Sequence, residues 1–415
     1  MQANKYKLLL LAGFIAIFFL ANSCVEEYWP ELDTAADQLL VVDGKISNFP
    51  GPYTVKLSYS SAINQQANNP ISLAKVSLVD NLGNTENFVE TSPGNYSSSA
   101  SGMQGIVGRS YKIKIQLSNG KKYESDFEEL KPTVDVENLL VEESVQLAKN
   151  DLETDQEGYQ FYVNSKVASS TKTYFYWEIE ETYEYHSDYR IIFLYRGRRY
   201  PITDFNPYGL AKVVNEDTLF YCWKTQPIPE RFSYSTEYLS SPVIKNLPLH
   251  FIPFTDERLR YKYSILVNQY SISENAYTFL DQLNKQNNSE DALFTTQPFQ
   301  IRGNIKNLDD SKEAVLGYFM VASGTKSNHL LTKAPSRIRY SSPLSFADTS
   351  SVQIKNVINT ALASSYPIYF TFLYFQNPNV PLAEADEVIA YVERQECIDC
   401  QKKGGTAKKP DYWDW

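Results

Sequence analysis

The chain has 415 residues, with 39 Lys and Arg against 49 Asp and Glu, for a net charge of -10. A surface of that sign repels phosphate backbones and sets nucleic acid aside as a partner, while 31 Tyr and 22 Phe against only 17 Gly exclude disorder for most of the length. A chain this long exceeds one ordinary core, so two domains are expected.

Lys5 and Lys7 precede an apolar run from Leu8 to Ala21 interrupted only by Gly13. A basic start followed by such a run is the pattern of an export signal, and the run is short of the roughly twenty residues that a spanning helix needs. The segment Leu20-Ala21-Asn22-Ser23-Cys24 resembles the lipobox of bacterial lipoproteins. That resemblance implies diacylglycerol on Cys24, cleavage after Ser23 and acylation of the new N-terminus; the alternative is an ordinary secretory signal with a cysteine near the cut. Each buried methylene contributes about 0.8 kcal/mol, so two or three acyl chains hold a soluble body on a bilayer. Removing residues 1–23 takes away two lysines and no acid, which moves the net charge from -10 to -12. Val25-Glu26-Glu27 resembles the surface-export cue of Bacteroidota lipoproteins and implies the outer face of the outer membrane, with a periplasm-facing lipoprotein as the alternative. Residues 24–37 read as the lipidated tether.

Beyond the tether the period is two. Tyr53, Val55, Leu57 and Tyr59 alternate with Thr54, Lys56 and Ser58, and Tyr111, Ile113, Ile115 and Leu117 repeat the pattern. Asn119-Gly120 then turns the chain toward Tyr123 as a hairpin, a turn expected to need positive φ at both central residues. The fold class expected is mainly β: an Ig-like or carboxypeptidase-regulatory-like β-sandwich over 38–132, followed by a larger β-rich domain over 133–415 with one or two helices. Residues 147–158 read as an acidic loop. Strands are expected at Tyr159 to Val163, Thr173 to Tyr185, Ile191 to Tyr195, Tyr261 to Gln269, Phe299 to Ile305, Val315 to Ala322 and Ile368 to Phe375. Ser271-Ile272-Ser273-Glu274 has capping-box spacing, and Ala276, Phe279, Leu280 and Leu283 follow at helical intervals, predicting an amphipathic helix over about 274–285.

Several stretches in this order carry a wider resemblance. They include Val42-Asp43-Gly44-Lys45-Ile46, Pro93-Gly94-Asn95-Tyr96, Cys222-Trp223, Gly303-Asn304-Ile305, Leu316-Gly317-Tyr318-Phe319 and the terminal Cys397-Ile398-Asp399-Cys400 with Tyr412-Trp413. With the lipobox they resemble a Bacteroidota lipoprotein family, domain of unknown function 4249, usually encoded beside TonB-dependent outer-membrane receptors. The resemblance implies location and partnership, namely an outer-membrane bilayer and a TonB-dependent receptor, and transfers no catalytic residue.

Lipidation uses Cys24 and leaves Cys222, Cys397 and Cys400, enough for one intramolecular disulfide. Zinc would need about four ligands, and His186, His250 and His329 are not paired at ligand spacing. Thioredoxin-like exchange lacks its βαβ setting. A disulfide is the favoured reading, with Cys222 joined to Cys397 or Cys400 preferred over Cys397 to Cys400 because long loops stabilise more. Neither Gly-x-Ser-x-Gly nor His-Glu-x-x-His occurs, and Glu180-Glu181 and Asp309-Asp310 read as solvated pairs. Trp413 is expected to pack against the second domain near the cysteines. These readings predict no catalytic residue, no metal and no cofactor. The functional expectation is a non-enzymatic accessory that captures or gates a ligand for its receptor. A surface adhesion module and a surface hydrolase are the alternatives.

Overall fold

A computed structural model describes residues 39–61, 69–148, 154–167, 172–195, 210–212, 219–239, 243–288, 301–333, 335, 349–350, 368–372, 389–392 and 395–413. The expected signal peptide, Cys24 and the tether lie outside these residues. The first strands are β1 (Leu40–Ser47), β2 (Thr54–Tyr59), β3 (Asn69–Pro70), β4 (Lys75–Asp80), β5 (Thr85–Asn87), β6 (Val89–Ser92), β7 (Asn95–Ser97), β8 (Ser110–Gln116), β9 (Lys122–Ser125) and β10 (Glu128–Glu129). There follow β11 (Val136–Gln146), β12 (Gln156–Lys166), β13 (Tyr174–His186), β14 (Phe193–Tyr195), β15 (Ala211–Lys212), β16 (Tyr221–Pro227), β17 (Phe232–Ser235), β18 (Val243–Pro253) and β19 (Lys262–Ile272). Helix α1 (Glu274–Asn288) precedes β20 (Ile305–Asn307), β21 (Leu316–Lys326), β22 (Leu330–Lys333), β23 (Thr349–Ser350), β24 (Ile368–Phe372) and β25 (Ile389–Val392).

The mainly-β expectation holds, and the strands form four sheets. The longest runs β16-β13-β19-β21-β1-β2-β7-β6, with β17 on β13, β22 on β19 and β3 on β2. A second runs β20-β9-β8-β4-β5 with β10 on β8; β11-β12-β18 and β15-β14-β24-β25-β23 complete the set. Strand β1 is central to the longest sheet, antiparallel to β2 and parallel to β21, from Val41 opposite Leu316 to Ser47 opposite Ala322. The region expected as an N-terminal sandwich therefore takes two strands, β20 and β21, from far downstream.

Side-chain alternation sorts the layers. Val42, Ile46, Val55, Leu57, Phe319 and Val321 of the long sheet face Val76, Leu78, Ile113 and Ile115 of the second sheet in one core. Farther along, Phe175, Trp177, Ile179, Ile265 and Val267 meet Phe161, Val163, Ile244 and Ile252 in another. The register sets Tyr176 opposite Tyr270, Tyr270 opposite Gly324 and Asp43 opposite Tyr318. Since these alternate positions share one face, both cores lie on the other face of the same sheet. Each fully buried large apolar side chain contributes about 1.5–3 kcal/mol. Gln269 links the layers: its Oε1 accepts from Trp177 Nε1 at 2.9 Å and from Ser165 Oγ at 2.6 Å, and its Nε2 donates to the Val134 carbonyl at 2.7 Å.

Two local expectations are corrected. At Asn119-Gly120 only Gly120 takes positive φ, at 91°, while the Asn119 side chain accepts from Lys121 N at 3.1 Å and stabilises the turn from outside. Ser271 is still in β19. The helix is capped by Ser273, whose Oγ accepts from Ala276 N at 3.1 Å. Among the described residues no helix is long and apolar enough to cross a membrane.

Candidate functional site

The face of the long sheet opposite both cores is covered in part by α1, and between them lies a cavity of about 720 Å³. Its floor follows from the pleat. In β1 the buried Val42 and Ile46 point to the core, so Val41, Asp43 and Lys45 point the other way. Lys56 on β2, Tyr176 and Glu178 on β13, and Tyr318 and Met320 on β21 join them, while Phe279 and Leu283 of α1 form the wall. Gly44 lets β1 sit close to its neighbour, since a Cβ there would lie 2.8 Å from Val55 Cγ2.

The charges are unevenly committed. Lys45 Nζ donates to both oxygens of Glu178, at 2.6 and 2.7 Å, and sits 4.0 Å from the centroid of the Tyr270 ring. Tyr270 and Tyr176 stack with centroids 6.1 Å apart. Burial, reinforced by the Glu178 charge, pushes both phenols well above their usual range, so they remain protonated donors. Tyr318 packs on Phe279 at 4.9 Å and its hydroxyl donates to the buried Glu128. Burial raises the Glu128 carboxyl above its ordinary value, with hydrogen bonds from Tyr318 and Ser273 opposing the shift. Arg231 and Lys56, both exposed, line the same cavity, and neither is in an ion pair among the described residues.

The cysteines occupy a different part of the molecule. Cys222 of β16 is bonded to Cys400, with Cα atoms 5.8 Å apart, and Cys397 is buried outside that bond. Around it residues 395–413 form a strap over β13 and β16. Trp223 and Thr406 exchange backbone hydrogen bonds at 2.9 Å, and Tyr185 Oη donates to the Cys400 carbonyl at 2.6 Å. Trp413, 1% exposed, donates from Nε1 to Glu184 Oε2 at 2.9 Å, and Tyr412 stacks on His329 with centroids 3.4 Å apart. Trp413 thus packs against β13 beside the disulfide, as its aromatic sequence suggested.

The structure does not assemble the three histidines. His186 stacks on Tyr261, His250 on Phe161 and His329 on Tyr412. Among the described residues no group of three or more His, Cys, Asp or Glu could hold a metal ion. Glu181, expected to be solvated, is 1% exposed. It accepts from Arg258 Nη1 at 2.7 and 2.8 Å, from Tyr263 Oη at 2.6 Å and from Gln226 Nε2 at 2.6 Å. Asp256 binds the same guanidinium, and these hydrogen bonds hold its carboxyl below the usual range against burial. The groove itself was missed in sequence. Its one signal was a pair of charges, Asp43 and Lys45, on the outer face of a strand rich in valine and isoleucine.

The sequence profile of the family described as domain of unknown function 4249 matches residues 25–328. The chain belongs to that family. The matched span of this domain of unknown function 4249 protein includes β1, α1 and the whole of β21, hence the groove, and ends before the cysteine strap. No curated protein matches it. Among solved structures it is similar to a protein described as carbohydrate binding from Bacteroides uniformis ATCC 8492, with 8% identity, 71% of this chain and 98% of that chain covered, and a TM-score of 0.12. It is also similar to the B domain of a biofilm associated protein, with 9% identity, coverage of 70% and 86%, and a TM-score of 0.13. Similarity at that level carries no functional argument.

Proposed function

We propose that this is a lipid-anchored outer-membrane accessory that captures a ligand in the groove between α1 and the long sheet and hands it to a TonB-dependent receptor, without catalysing a reaction. The observation that carries the reading is the groove: apolar walls and a few convergent charged groups held on strands, of a size typical of small-molecule sites. The lipobox at Cys24 and the acidic Val25-Glu26-Glu27 support a surface location, and the family resemblance supports the receptor.

Affinity purification of the tagged full-length protein from solubilised outer membranes tests the partnership. Co-recovery of a β-barrel receptor is expected, and a clean monomer under gentle detergent contradicts it. A Cys24→Ser strain should release the protein from envelopes, and quantitative retention there contradicts the anchor. A deletion that abolishes attachment but leaves nutrient uptake intact would favour adhesion.

A further inference from the structure

We propose that the groove's ligand is a small molecule bearing a carboxylate next to an apolar ring or chain, with the carboxylate held by Arg231 and Lys56 and the apolar part laid against Tyr176 and Phe279. This rests on the reading of the groove as the capture site and adds the chemistry of what it captures.

Five charged side chains line the cavity: Asp43, Lys45, Lys56, Glu178 and Arg231. Lys45 and Glu178 neutralise each other through two hydrogen bonds. What remains is two cations against one acid, a local positive excess in a chain whose net charge is -10. Asp43 and Lys56 are directly opposed across the β1–β2 ladder, yet no ion pair joins them, so the Lys56 ammonium is available to a ligand. Arg231, which immediately precedes β17, is close enough to Tyr176 for its charge to oppose the rise in that phenol's proton affinity. A guanidinium and an aromatic ring lining one cavity are suited to a planar carboxylate with an attached apolar group, because the fork takes both oxygens while the ring takes the apolar part.

The volume sets the scale. About 720 Å³ falls within the range of small-molecule pockets, roughly 300–1,000 Å³, and is too little for a folded partner. Asp43, directly opposite Lys56, accepts from a hydroxyl or ammonium of the ligand close to its acid. The site therefore selects a ligand with its acid on Arg231 and Lys56 and a donor group next to that acid.

Two acid sources share this chemistry, uronate saccharides, whose apolar part is the C–H face of the pyranose ring, and acidic peptides with an aromatic neighbour, and one titration series separates them. Full-length lipidated protein in detergent micelles is titrated calorimetrically with trigalacturonate and its methyl ester, and with the tripeptide Glu-Phe-Glu and its Gln-Phe-Gln amide. At least one acid should bind about tenfold or more tightly than its neutral twin, and the family in which it does names the source. Arg231→Gln with Lys56→Gln should abolish that preference without moving the thermal midpoint, because both side chains are exposed. No acid-over-neutral preference in either pair, or a preference that survives the double substitution, overturns the proposal. Leu283→Trp, which fills the groove, separates the two failures. If neutral ligands bind and this substitution stops them, the capture site stands and only the charge assignment falls; if binding persists, the groove is not the site.

Discussion

Breaking the Cys222–Cys400 bond should destabilise the protein far more than an average point substitution. The cysteines are 178 residues apart in sequence. In the chain-entropy treatment a loop of that length restricts the unfolded ensemble by about 5 kcal/mol, an upper value because real unfolded chains keep some compactness. The double substitution Cys222→Ser with Cys400→Ser should therefore lower the unfolding free energy by about 3–5 kcal/mol. Urea denaturation followed by tryptophan fluorescence should show it, and wild-type protein in reductant should behave like the variant. Trp413 reports locally, since its indole is buried against Glu184 and its strap is bonded to β16 through Cys400. A Cys397→Ser chain keeps the bond and should lose less than the double variant, about 1–2 kcal/mol for a hydroxyl placed among Tyr189, Ile191 and Ile398. A loss below about 1 kcal/mol in the double variant, or a non-reducing peptide map joining Cys397 to either partner, would refute the reasoning.

Glu128→Gln should raise the melting temperature at pH 8 and leave it nearly unchanged at pH 4. Burial lifts the Glu128 carboxyl above its ordinary 4.5 in the folded state, so its contribution is complete below that value and is lost as pH rises through the folded one; a melting-temperature gap that does not vary with pH would contradict this. Glu181→Ala leaves Arg258 and the Tyr263 hydroxyl without their buried acceptor, and urea unfolding should show a loss of about 3 kcal/mol, with less than 1 counting against the network. Gly317→Ala combines a φ of 87° with a Cβ 1.9 Å from the Val42 carbonyl oxygen. It should lower stability by at least about 2 kcal/mol in the same assay, and a neutral result would contradict the close approach of β1 and β21.

The strands are legible in the amino-acid pattern where one face is buried and the other is wet. Val55 and Leu57, and Ile113 and Ile115, alternate because each strand has a core on one side only. Strand β11 leaves no such pattern, because none of its eleven residues is fully buried and they give no period. Glu181 looked like one of many acids until Arg258, 77 residues away, came to meet it. The groove was invisible for a related reason. Asp43 and Lys45 have the pattern of an ordinary solvent face, and only the approach of β13 and β21 on one side and α1 above makes that face concave. The cysteine strap was more legible, because three sulfurs and an aromatic end leave few ways to be tied down.

The parallel pairing of Val41 with Leu316 has a consequence for how the molecule comes into being. While the chain emerges N-terminus first, β1 has β2 on one flank and an open row of amide and carbonyl groups on the other until some 275 further residues have arrived. A fragment ending near residue 132 would carry that exposed edge permanently and should self-associate. Completion must wait for the downstream strands, so the two cores are expected to form together and late, and the emerging chain needs guarding against premature strand pairing for most of its synthesis.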